Sequence, residues 1–135
     1  MDMTELGRQV LASQPFSVKL GAELLRLEDG EAELKLPLTR DLLQQHGYAH
    51  GGVVSYLADN ALTFAGGSAL GPDVLTAEFK INYMKGARGE ALLARAHTLN
   101  SGRRMAVVQC TVYAIQNSGE EVPCAVAQGT IVTRT

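Results

Sequence analysis

Hydrophobic and polar positions alternate along most of this chain, and the departures from alternation mark its layout. Over residues 4–13, Leu6, Val10 and Leu11 fall on one side of a helical wheel, which predicts a short amphipathic N-terminal helix. Pro15 stops it, because the ring fixes φ and removes a backbone donor. A period of two takes over from Ser17 to about Leu27 and again from Glu31 to Leu36. In the second run Ala32, Leu34 and Leu36 alternate with Glu31, Glu33 and Lys35. Glu28-Asp29-Gly30 between the runs predicts a hairpin turn. Further on, Leu75, Ala77, Phe79, Ile81 and Tyr83 alternate with Thr76, Glu78, Lys80 and Asn82, as in a half-buried strand. Runs over 90–99, 104–115 and 122–133 follow, separated by Asn100-Ser101-Gly102 and Asn117-Ser118-Gly119. Four strands joined by short turns predict an antiparallel meander.

Between the two strand groups the alternation disappears. From residue 42 to 72 the only formally charged side chain is Asp59, and His50-Gly51-Gly52 opens the run VVSYLADNALTFAGGSAL. A helix that is apolar or small nearly all the way round is a buried one. Its Ala and Gly residues let strands approach closely. The expected architecture is α+β: one central helix wrapped by a curved antiparallel sheet, within a single domain over 1–135.

Asp59 is the residue that fits this helix least. An ionised carboxylate among apolar groups is paired, protonated or functional. On the helix Ser55 and Thr63 lie one turn away on either side, with Gly52 and Gly66 two turns away. Either Asp59 is a base or nucleophile in a slot lined by small residues such as Gly52 and Ser55, or Ser55, Thr63 or a cross-sheet Arg satisfies its oxygens. His50-Gly51-Gly52 at the helix start offers a second feature, since first-turn amides are unpaired donors at the positive end of the macrodipole. A carbonyl oxygen placed there would be polarised. His50 and Asp59 are nine residues apart, about 2.5 turns and about 13 Å of rise, and project from opposite sides. If both serve one reaction, amide and carboxylate come from different subunits of a two-fold dimer.

Composition narrows the classes. With 12 Lys+Arg against 14 Asp+Glu, the chain lacks the cationic excess that nucleic-acid binding needs. A 46% hydrophobic content excludes overall disorder. No apolar stretch reaches the length of about 18 residues of a membrane span, and no apolar leader opens the chain, so a cytoplasmic setting is expected. Cys110 and Cys124 show no metal or redox spacing and are expected to fill the core. Ser68 in GGSALG lacks the second glycine of a nucleophile elbow.

His50-Gly51-Gly52-Val53 followed by Leu57-Ala58-Asp59 resembles the hotdog-fold thioesterases, in particular the phenylacetic-acid-pathway and 4-hydroxybenzoyl-CoA thioesterase group. The strand beginning Leu75-Thr76-Ala77-Glu78-Phe79 and running to Asn82-Tyr83-Met84 adds to the likeness, which covers almost the whole chain. The resemblance implies an acyl-CoA thioesterase that needs no metal or cofactor, active as an obligatory homodimer that pairs into a tetramer. Gly51 would donate its N–H to the thioester carbonyl, with His50 shaping the turn, and the partner's Asp59 would attack the carbonyl or activate water. Gln44 stands where the family often carries an Asn that holds the carbonyl or water. Gln44 together with Thr63 resembles the arylcarboxyl-CoA branch, which points to aromatic or short-to-medium acyl groups. Thr76 matches a strand Ser/Thr that positions water in some relatives. Lys85, Arg88, Arg103 and Arg104, gathered at one rim, would meet the phosphates of coenzyme A. The rivals are a hydratase, which would want a His where Phe64 stands, and a non-catalytic acyl-CoA-binding module.

Overall fold

The segment poorest in charge forms the longest helix. In the computed structural model, which describes residues 2–134, Gly51–Leu70 is a 20-residue helix, about 30 Å long. It is the third α-helix in chain order, α3, after α1 (Met3–Ala12) and α2 (Pro15–Leu20). The described residues also form six strands: β1 (Glu23–Glu28), β2 (Glu31–Pro37), β3 (Val74–Tyr83), β4 (Ala91–Ser101), β5 (Met105–Ile115) and β6 (Glu121–Thr133). They form one antiparallel sheet in the order β1-β2-β4-β5-β6-β3, curved around α3.

The core lies between that helix and the concave side of the sheet. Leu57, Ala58, Ala61, Leu62 and Ala65 are fully buried against Leu34 and Leu36 of β2, Leu92 of β4, Val108 and Val112 of β5 and Ile131 of β6. Close approach depends on glycine. A Cβ at Gly66 would sit 2.8 Å from Cβ of Ile131, and one at Gly129 would sit 2.7 Å from Cβ of Phe79. Gly66 therefore faces β6 and does not belong to the polar stripe expected around Asp59. Gly66→Ala gains about 1 kcal/mol of helix propensity but overpacks against a β-carbon that no rotamer change can move. We expect a net loss of about 1–2 kcal/mol, read as a lower urea midpoint with an unchanged slope.

The hairpin turn forms as expected: Asp29 and Gly30 both take positive φ, 49° and 78°, which matches the twist of the flanking strands. Three expectations are corrected. Pro15 does end α1, but it also occupies the first turn of α2, where its missing N–H costs nothing, so residues 17–20 are helical and the strand starts only at Glu23. The four later strands are not a simple meander. β4, β5 and β6 are, whereas β3 crosses to the far edge and pairs with β6. β3 also carries a bulge between Thr76 and Glu78 that breaks its period of two. Val74, Thr76, Phe79 and Ile81 are its half-buried side chains, and Leu75, Ala77 and Tyr83 are exposed.

Candidate active site

Asp59 lies on the one stripe of α3 that the sheet leaves partly open, and it is half-buried there. The partner of its carboxylate is none of those expected. Thr76 donates from β3 to Asp59 Oδ1 at 2.7 Å, and the bulge is what turns that hydroxyl towards the helix. Thr63 donates to the Asp59 backbone carbonyl at 2.8 Å, with its hydroxyl 2.8 Å from that of Thr76. The Asp59, Thr63 and Thr76 side chains thus form one contact set. Asp59 Oδ2 accepts no hydrogen bond among the described residues. Ser55, one turn earlier, makes no side-chain hydrogen bond among them.

At the other end of the site, the N-terminus of α3 is resolved to a single free donor. His50 is the N-cap, and its Nδ1 accepts from the Gly52 amide at 2.8 Å. That contact places the ring proton on Nε2. Val53 and Val54 donate to the His50 carbonyl, so among the described residues only the Gly51 N–H of this turn lacks an acceptor. His50 therefore shapes the turn, and Gly52 is not an open donor. Tyr83, which sequence reasoning did not single out, donates to the Gly51 carbonyl at 3.0 Å and covers the turn.

Gln44 holds the loop that leads into this turn. Its Oε1 accepts from the amides of His46 (2.6 Å) and Tyr48 (3.3 Å), so the side-chain oxygen is committed to its own loop and Nε2 remains. Arg88 braces the same loop, donating to the His46 carbonyl at 3.1 Å with its guanidinium 4.4 Å from the Tyr48 ring centre. Gln44, Gly51, Tyr83 and Lys85 line a cleft of about 290 Å³. Cys124 lies at its back, but burial pushes that thiol up to about 11 and Cys110 up to about 12, so neither is a thiolate nucleophile at neutral pH.

The four basic residues do not share a rim within one chain. Lys85 and Arg88 precede β4, whereas Arg103 and Arg104 follow it, so the 11 residues of that strand separate the pairs by roughly 33 Å. Asp59 and Thr76 line none of the cleft around Gly51, and Thr63 instead lines a separate groove between α1 and α3. The chain thus holds a free helix-start amide and a positioned carboxylate in different places.

The family model for the thioesterase superfamily matches residues 46–120, which include Gly51, Asp59 and Thr76. The chain belongs to the thioesterase superfamily. A 1,4-dihydroxy-2-naphthoyl-CoA hydrolase of Listeria monocytogenes is 29% identical over 86 residues, covering 62% of this chain and 70% of that protein. Among solved structures, a thioesterase family protein from Silicibacter pomeroyi is 37% identical, with a TM-score of 0.90 over 97% of each chain. The phenylacetic acid degradation protein of Thermus thermophilus is 31% identical, with a TM-score of 0.77 over 90% of this chain and all of that one. The curved sheet around α3 is the hotdog fold, and this thioesterase is a thioester hydrolase by family. Among the described residues no helix is long and apolar enough to cross a membrane.

Proposed function

We propose that the protein hydrolyses an aromatic or short-to-medium-chain acyl-CoA thioester to the free acid and CoA, at two equivalent sites between the protomers of a two-fold dimer. The observation that carries this reading is the separation just described: the one free amide of α3 and the carboxylate with one free oxygen lie apart in each chain. A two-fold axis would bring the amide of one protomer to the carboxylate of the other. β3 is an edge strand whose outer side has no partner strand among the described residues, which gives such a pairing a place to form.

In this arrangement the Gly51 N–H takes the thioester carbonyl oxygen and polarises it. As the carbonyl becomes tetrahedral, the charge that grows on that oxygen is stabilised by the same donor and by the positive end of α3. Across the interface Asp59 acts through Oδ2. As a base it takes a proton from water, whose oxygen attacks the carbonyl carbon. As a nucleophile it forms an anhydride that water then opens. In both routes the C–S bond breaks with its electrons on sulfur, and a thiolate leaves readily enough to need little acid assistance. Thr76 fixes Oδ1 and so aims the carboxylate, and Lys85 at the Gly51 cleft is a cation available to the phosphates of CoA.

Release of free thiol from a panel of aromatic and aliphatic acyl-CoAs tests the proposal. Saturable turnover of at least one class is expected. Saturable binding without turnover of any member would overturn hydrolysis in favour of a carrier of acyl-CoA.

A further inference from the structure

Tyr83 is the last residue of β3, and although its side chain is exposed, its hydroxyl is engaged with backbone. It donates to the Gly51 carbonyl at 3.0 Å. That bond rescues no orphan group. Gly51 opens α3, so its carbonyl accepts the amide four residues on, and the phenol takes the second lone pair. Nor does the bond hold a core together. Tyr83 is 54% exposed, and an exposed hydrogen bond replaces one to water and adds little to stability. What it fixes is direction.

The peptide unit between Gly51 and Gly52 is held at both ends. Its carbonyl accepts from Tyr83, and its N–H donates to His50 Nδ1 at 2.8 Å. The Gly51 N–H belongs to the preceding peptide unit, whose carbonyl accepts from Val53 and Val54 at 3.0 and 3.2 Å. The two units hinge at the Gly51 Cα. Without a Cβ, glycine leaves such a hinge looser than any other residue does. Hydrogen bonds therefore supply the restraint that a side chain gives elsewhere. Tyr83 delivers its share from a fixed base. Its strand pairs with β6 at Ala125, and the next amide, that of Met84, donates to the Cys124 carbonyl at 2.8 Å. Gly51 and Tyr83 also line the same cleft.

We infer that Tyr83 is a positioning residue for the hydrolysis proposed above. By holding the Gly51 carbonyl it locks the hinge, and the locked hinge keeps the Gly51 N–H aimed at the thioester carbonyl oxygen. This inference rests on the reading in which that N–H polarises the carbonyl. An oriented donor works only within a narrow range of distance and angle, and a displacement of about 1 Å can cost roughly 100-fold in rate.

Tyr83→Phe keeps the ring at the cleft and removes only the hydroxyl. With the acyl-CoA that wild type turns over fastest, it is expected to lower kcat roughly tenfold while KM stays within about twofold. The thermal midpoint is expected to stay unchanged. The same substitution is then made in Gly51→Pro, where no N–H is left to aim. There it is expected to change kcat by less than about twofold, so the two losses do not multiply. A general structural role instead lowers kcat by the same factor in both backgrounds. An unchanged kcat in Tyr83→Phe, a loss confined to KM, or losses that multiply in the double variant overturn the inference while hydrolysis stands. Gly51→Pro turnover equal to wild type overturns the role of the Gly51 N–H and the inference with it. Wild type inactive on every acyl-CoA overturns hydrolysis as well.

Discussion

Asp59→Asn is expected to lower kcat/KM for thioester hydrolysis by roughly 10³-fold, within the range of about 10²–10⁴ that a positioned acid–base group contributes. The substitution isolates the chemistry. An Asn carbonyl at the Oδ1 position still accepts from Thr76, so the contact that seats the side chain on β3 survives. What disappears is the free Oδ2 lone pair that takes a proton from water or attacks carbon. Thermal unfolding should therefore be nearly unchanged while turnover collapses. A loss smaller than tenfold would remove Asp59 from the chemistry. Single turnover in ¹⁸O-water that labels the Asp59 carboxylate identifies the nucleophilic route, because label reaches Asp59 only when water opens the anhydride at the Asp59 carbonyl.

Gly51→Pro is expected to cost roughly 10²–10³ in kcat with the fold retained. It deletes one atom of consequence, the N–H hydrogen that polarises the carbonyl. Proline is favoured at the first position of a helix, and the residue before it must be extended; His50 already has φ −59° and ψ 136°. A Cβ at position 51 makes only ordinary contact with Tyr83, at 3.6 Å. Combining the two variants tests the assembly directly. If each site draws its amide and its carboxylate from different protomers, a co-refolded equal mixture contains about half mixed dimers, each with one intact site. Activity should return to about one quarter of wild type. If each chain carries a complete site, every site in the mixture is defective and nothing returns.

The parts of this molecule legible in the sequence are those fixed by local pattern. The run between residues 42 and 72, with Asp59 as its only formal charge, identified α3, and Asp29-Gly30 identified the hairpin. Periodicity failed where tertiary contacts decide. Residues 17–20 alternate like a strand, yet Pro15 starts a helical turn that Ser17, Tyr56 and Asn60 hold in place. The bulge in β3 is invisible to a period-two reading, which sets Thr76 on the polar side away from the core, and it is the bulge that brings Thr76 to Asp59. The placement of β3 beside β6 is a non-local pairing that turn lengths alone do not specify. Of the proposed site, Gly51 and Asp59 were legible from residue type and spacing. The commitment of Gln44 Oε1 to its own loop was not, since a Gln side chain fits a ligand and a turn equally well.

The two cysteines carry a practical consequence for measuring all of this. Cys110 and Cys124 are 3% and 1% exposed, and both remain protonated at neutral pH because burial disfavours the thiolate. A chromogenic aromatic disulfide reacts with thiolates that it can reach, so the native protein contributes no background colour and the signal is coenzyme A alone. The same reagent without substrate then becomes a gauge of integrity: colour that develops slowly in a variant reports chains that have opened far enough to expose their sulfur.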